Sequence, residues 1–166
     1  MILAFDTYYF EDKAKTVAIE FNHWSDQTIT NSYSETITGV DEYTPGSFYK
    51  RELPCILSLL KQIDLSHCKA IIIDGFVVLD DEGSIGLGGY LFNALNTNIP
   101  IIGVAKNDYV QIQKNKRSVL RGESIKPLYI TAKGIELDSA ANHIKNMYGP
   151  YRFPDLLKQV DSLGRL

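Results

Sequence analysis

The chain has 166 residues, of which 17 are basic and 20 acidic, and its formal net charge is −3 at pH 7. Hydrophobic residues make up 45% and charged residues 22%, values that are ordinary for a globular protein with a full hydrophobic core. No segment approaches the ~20 apolar residues of a membrane span, and the first residues lack the basic start of a signal peptide.

The only cysteines are Cys55 and Cys68, and neither has a CxxC partner. A disulfide framework and a thiolate metal site are therefore not expected. Together with the composition, this predicts one cytoplasmic, monomeric domain spanning residues 1–166.

The first third of the chain predicts an antiparallel meander of three strands. Residues 2–8 and 16–21 are apolar runs, and residues 27–37 alternate β-formers with polar side chains. The turn signal Pro45-Gly46 follows, and apolar residues then recur at helical spacing from Phe48 to Ile63.

The remainder predicts buried strands alternating with helices. The run Ala70-Ile-Ile-Ile-Asp74 has no period-2 alternation, so both faces of this strand should be buried. The further elements are predicted as a helix over 85–95, strands over 100–104 and 125–131, and helices over 138–147 and 155–163. This order predicts an α/β, ribonuclease-H-like mixed sheet, in which an antiparallel meander is followed by parallel strands and helices cover both faces.

Three carboxylates can meet at one edge of such a sheet. Asp6 and Asp74 would project from adjacent strands, and Glu52 would approach from the intervening helix. Clustered carboxylates repel one another unless a divalent cation lies among them, and oxygen ligands suit Mg²⁺ or Mn²⁺. Such an ion can activate water against a phosphodiester, and Lys106, at another strand end, could stabilise the developing charge. Taken singly, each carboxylate also fits a cap or a surface charge, Glu52 most easily because acidic residues are common near helix starts.

Six segments resemble, in order, the motifs of the endonuclease V family. They are FDTYY (5–9), YTPGSFYKRE (43–52), IDG (73–75), IIGVAK (101–106), KPLYIT (126–131) and YRFPDLLKQVD (151–161). The similarity covers nearly the whole chain and identifies it as a divergent, short member.

The resemblance implies a ribonuclease-H-like, Mg²⁺-dependent nuclease of DNA or RNA. The family cleaves DNA near deoxyinosine, at the second phosphodiester bond on the 3′ side, and some members prefer inosine in RNA. By resemblance, the metal carboxylates are Asp6, Glu52 and Asp74, the catalytic-site lysine is Lys106, and the C-terminal acidic position is Asp161. The strand-separating wedge corresponds to Tyr43, Pro45 and Gly46.

A basic segment from Lys106 to Lys133 carries seven basic and two acidic residues in an otherwise acidic chain. Lys116, Arg117 and Arg121 are therefore candidate nucleic-acid contacts. A solvated charged face is the alternative interpretation.

The stretch after Asp74-Gly75 departs from the family. Phe76–Gly83 contains Asp80-Asp81-Glu82 where the family has a basic, histidine-bearing loop, and acidic side chains near phosphate should repel it. Three hypotheses stay open: a metal-dependent endonuclease of DNA repair, a nucleic-acid-binding protein with weak or no cleavage, and an α/β protein with other phosphate-ester or small-molecule chemistry.

Overall fold

The computed structural model describes residues 1–40 and 48–166, where seven strands form one mixed sheet in the order β3-β2-β1-β4-β5-β7-β6. The strands are β1 (Ile2–Phe10), β2 (Lys13–Phe21), β3 (Asn31–Thr38), β4 (Ala70–Asp74), β5 (Ile101–Ala105), β6 (Arg117–Val119) and β7 (Leu128–Lys133). The helices are α1 (Phe48–Leu60), α2 (Leu87–Leu95), α3 (Leu137–Lys145) and α4 (Asp155–Gly164).

The predicted ribonuclease-H-like arrangement is confirmed. The strands β1, β2 and β3 form the antiparallel meander, and β4 pairs in parallel with both β1 and β5. Beyond β5 the sheet continues with antiparallel β7 and ends at β6.

Some strand limits differ from the prediction, and β6 was not predicted. The β6 strand has only three residues in a polar, basic segment, so pairing with β7 forms it rather than local propensity. Ile125 was placed in a strand but is 92% exposed, because β7 begins only after Pro127, which has no N–H to donate. The β1–β2 hairpin is longer than predicted, since its pairing continues to Phe10 and Lys13.

Helices cover both faces of the sheet, as predicted. Side chains of α3 and α4, such as Ile144 and Leu157, pack with Ile2 and Ala4 of β1 on one face. Side chains of α1 and α2 pack with Leu3 and Phe5 of β1 on the other. This period-2 alternation along β1 assigns each later residue of the strand to a face. Within the described residues, no helix combines the length and apolar character needed to cross a membrane.

Candidate active site

Asp6 and Asp74 lie level with each other at the carboxyl ends of β1 and β4. The parallel register pairs Ile2 with Ala70 and Ala4 with Ile72, and the two aspartates follow two residues later on each strand. The β1–β4 pairing stops at Ala4, while β1 continues beside β2 alone. The strands therefore part at the aspartates, which opens a cleft where ligands of α/β sheets usually bind.

The cleft also brings together side chains from the end of β5, from α4 and from the segment before α4. Lys106, directly after β5, and Asp161, on α4, line it with the two aspartates, and Phe153, Leu157 and Val160 form its apolar wall. The Lys106 ammonium lies 4.8 Å from the centroid of the Phe153 ring. Arg152 donates hydrogen bonds to the backbone carbonyls of Lys106 and Pro127, which ties the segment before α4 to the lysine.

Glu52 reaches the same carboxylates from α1, on the opposite face of the sheet. It is only 4% exposed, and burial, followed by the charges of Asp74 and Asp6, raises its pKa to about 8. Burial also raises the pKa of Asp6 to about 7, with the charge of Asp74 and a hydrogen bond to Asp161 as further causes.

The other two carboxylates are shifted in opposite directions. Asp74 is exposed to solvent when the whole residue is considered. The cleft walls nevertheless desolvate its carboxyl group and raise its pKa, while Lys106 acts against this rise. For Asp161, desolvation is outweighed by hydrogen bonds from Asp6 and Arg165, which lower its pKa. Of this pair, Asp6 therefore binds a shared proton more readily and Asp161 more readily stays anionic.

These pKa shifts are typical of a set of carboxyl oxygens whose negative charge is compensated only in part, here by Lys106. In residues 1–40 and 48–166, no group of three or more His, Cys, Asp or Glu side chains already stands in position to hold a metal ion. The raised pKa values favour proton binding by Asp6 and Glu52, and the Lys106 charge favours the anionic form of Asp74. A divalent cation could replace those protons, since hard cations prefer carboxylate oxygens.

Among the predicted nucleic-acid contacts that the structure describes, Lys116, Arg117 and Arg121 do not line this cleft. Tyr43, Pro45 and Gly46 lie outside the described residues. Lys116 forms an ion pair with Asp108, and Arg117 donates to Asp138 at 2.7 Å. Both lie at β6, three strands away from β4 in the sheet.

Arg121 does not fit its predicted role in binding nucleic acid, because its guanidinium is committed within the protein. The residue is 5% exposed and donates to the backbone carbonyls of Lys145, Met147, Gly149, Tyr151 and Arg152. A phosphate could reach it only if these bonds were lost. Arg121 instead stabilises the turn between α3 and α4.

The acidic loop after β4 also has a structural role. The Asp81 carboxylate accepts hydrogen bonds from the backbone N–H groups of Gln113, Lys114 and Asn115, at 2.9–3.2 Å. The Asp80 carboxylate accepts from the backbone of Glu82 and Ser84. The Asp81 bonds tie the loop after β4 to the loop after β5, and the Asp80 bonds lie within the first of these loops. Part of the charge expected to repel phosphate is therefore compensated by backbone dipoles.

Arg152 and Phe153, which support Lys106, had no predicted role. The sequence could have indicated a role for both residues, because they lie in the 151–161 segment that resembles the family's C-terminal motif. A contact between this segment and Lys106, 46 residues earlier in the chain, required the fold to be known.

The endonuclease V family model matches residues 1–162. No curated protein matches the chain.

Three solved structures illustrate the similarity of fold. The endonuclease V of Streptomyces avermitilis superposes with a TM-score of 0.75 at 22% identity, covering 99% of this chain and 79% of that one. Endonuclease V of Ciona intestinalis, bound to a 24mer DNA containing an inosine followed by a ribo-adenosine, gives 0.80 at 17% identity, covering 99% and 84%. The human ENDOV structure gives 0.74 at 20% identity, covering 99% and 82%. Since the family match spans almost all of its residues, the chain belongs to the endonuclease V family.

Proposed function

We propose that this protein is a metal-dependent endonuclease that hydrolyses phosphodiester bonds of DNA or RNA near deoxyinosine or inosine. The main support is that Asp6 and Asp74 line one cleft with Lys106, that their charges help to raise the pKa of the buried Glu52, and that the pKa values of all three carboxyl groups are raised. The inosine in the DNA bound by the Ciona relative supports the choice of substrate. A role in DNA repair follows from that choice, because deoxyinosine is a damaged base.

The donor set fits Mg²⁺ or Mn²⁺ by its chemistry. It consists of carboxylate oxygens, it contains no thiolate or imidazole, and burial makes its unneutralised charge unfavourable. We assign the metal contacts to Asp6, Glu52 and Asp74. When bound, the cation supplies a water of lowered pKa and stabilises charge on the leaving oxygen.

The protein's own residues have separable tasks around the scissile phosphate. Lys106 is placed to stabilise negative charge developing on the phosphate oxygens, and Arg152 and Phe153 position it. Asp161, beside Asp6 in the cleft, is the carboxylate that accepts a hydrogen bond when Asp6 binds a proton. Glu52, buried beneath the strand ends, fixes the cluster from the α1 side.

Cleavage of labelled inosine-containing single- and double-stranded DNA and RNA, with Mg²⁺, Mn²⁺ or EDTA, tests the proposal. We expect metal-dependent nicking beside the inosine. The rate should fall about 100-fold or more in Asp74→Asn, because the variant loses a carboxylate ligand of the metal at the reacting phosphate. The matched control is Asp138→Asn, at the distant β6 edge, which should keep full activity.

Cleavage in EDTA, or an unimpaired Asp74→Asn protein, would contradict the assignment. Failure to cut any of these substrates, with binding retained, would favour a nucleic-acid-binding protein without cleavage activity.

A further inference from the structure

The free end of the β1–β2 hairpin carries an aromatic row on one face. Tyr8 and Phe10 follow Asp6 at two-residue steps, so the three side chains share the α4 face of the sheet. The two rings are stacked, with centroids 6.0 Å apart and planes 26° apart. Tyr8 is 38% exposed, which is unusual for a large aromatic residue on a sheet face covered elsewhere by helices.

Basic side chains flank this aromatic row. The antiparallel register places Lys15 opposite Tyr8 and Lys13 opposite Phe10, on the same face. Arg165, just after α4, lies with its guanidinium carbon 5.4 Å from the centroid of the Tyr8 ring. We call Tyr8, Phe10, Lys13, Lys15 and Arg165 the hairpin strip.

The strip is continuous with the candidate active site. Asp6, two residues before Tyr8, lines the cleft, and Asp161, which lines it from α4, pairs with Arg165 at 3.4 Å. The strip ends at the hairpin turn, where the exposed Glu11 and Asp12 reverse the sign of the charge. A ligand following the strip from the cleft therefore meets aromatic faces and cations, and then an acidic boundary.

We propose that the hairpin strip binds an unpaired, single-stranded segment of nucleic acid next to the scissile phosphate. Aromatic faces that stack on bases, beside cations that track a phosphate backbone, are the general features of single-strand binding. A base-paired duplex keeps its base faces stacked inside the helix and could offer the strip only its backbone. The proposal rests on the proposed function for its substrate class, and it predicts that substrates with an unpaired segment beside the cut bind more tightly than blunt duplexes.

The test measures binding in EDTA, where cleavage is prevented, using fluorescently labelled oligonucleotides. Tyr8→Leu combined with Phe10→Leu keeps apolar β-compatible side chains but removes both stacking faces. We expect the Kd for a base-bearing single strand to weaken about 10- to 100-fold, and the Kd for an abasic strand of equal length to stay within about twofold. Tyr148→Leu, at a comparably exposed tyrosine near the start of α4, should bind like the wild type.

A second variant tests the cations without altering the aromatic row. Lys13→Gln combined with Lys15→Gln should reduce the slope of log K against log salt by about 1.4 for single strands, at about 0.7 per phosphate contact. Lys61→Gln, after the end of α1 that lies away from the cleft, is the matched control and should leave the slope unchanged.

The outcomes separate this proposal from the endonuclease assignment. The proposed role of the hairpin strip would be refuted by an unchanged affinity of the aromatic variant or by an equal loss of affinity for the abasic strand. It would also be refuted if the wild type did not bind single strands. Single-strand binding that depends on the strip, without nicking in Mg²⁺ or Mn²⁺, would refute only the endonuclease. Nicking by a protein whose binding does not depend on the strip would refute only the proposed role of the hairpin strip.

Discussion

At the scale of single residues, Glu52 shows how a fold can hold an unfavourable group for a functional purpose. Its carboxyl is almost completely buried near two other carboxyl groups, and nothing in α1 requires an acidic side chain there. Burying an uncompensated carboxylate is strongly unfavourable, so the group binds a proton in the absence of a countercharge. The metal-free protein should therefore be less stable wherever solution pH favours deprotonation.

The raised pKa of Glu52 predicts whether the stability of the folded protein rises or falls with pH. A carboxyl with a pKa of about 8 when folded, against roughly 4.3 when unfolded, binds more protons in the folded state, so stability falls as pH rises between these values. In EDTA we expect the wild-type melting temperature to fall from pH 5 to pH 8. Glu52→Gln should melt about 4–8 °C higher than the wild type at pH 8, corresponding to relief of roughly 2 kcal/mol.

Thermal melting across this pH range in EDTA provides the measurement. Glu123→Gln, at an exposed position, serves as the control and should follow the wild type. A Glu52→Gln protein that melts at or below the wild-type temperature at pH 8 would show that Glu52 stabilises the fold as an anion.

At the scale of elements, two tethers between distant segments shape the surroundings of the cleft. Asp81 joins the loop after β4 to the loop after β5 through backbone N–H groups. Arg121 joins the segment after β6 to the end of α3 and the following turn. Because Arg152 lies in that same turn and contacts Lys106, the Arg121 tether supports the position of the lysine indirectly.

The Arg121 tether should be a major contribution to stability. Arg121→Met keeps much of the apolar stem but leaves several backbone carbonyls without their donor, and we expect a loss of about 2–4 kcal/mol. Arg117→Met, four residues earlier and half exposed, removes a surface ion pair and hydrogen bonds to the neighbouring carbonyls of Lys114 and Lys116, and should lose at most about 1 kcal/mol because water can replace these partners. Urea unfolding of both variants measures the difference, and equal losses would refute a structural role specific to Arg121.

At the scale of the whole molecule, the sequence predicted what depends on local pattern and chain order. The apolar runs around Asp6 and Asp74 predicted the adjacent strands β1 and β4, and therefore the meeting of the two carboxylates. The structural roles of Arg121 and Asp81 could not be predicted, because their partners lie 24 to 34 residues away in the chain and are mostly backbone atoms. Charge pattern alone cannot distinguish a cation that meets phosphate from one that binds carbonyl groups.

The folded molecule should become more stable to heat when it binds a divalent cation. A ligand that binds only the folded state, at a concentration 100 times its Kd, adds about 2.7 kcal/mol to the free energy of unfolding. For a chain of this size, this raises the melting temperature by about 5–11 °C. We expect Mg²⁺ or Mn²⁺ to produce this rise in the wild type, and more strongly at pH 8 than at pH 6, because the cation competes with protons for Asp6 and Glu52.

Asp74→Asn should lose most of the rise, whereas Lys106→Met should keep it while losing cleavage, since the ammonium acts on the phosphate rather than on the cation. An equal rise in Asp74→Asn would place the cation elsewhere on the protein, and loss of the rise in Lys106→Met would mean that the lysine organises the carboxylates themselves.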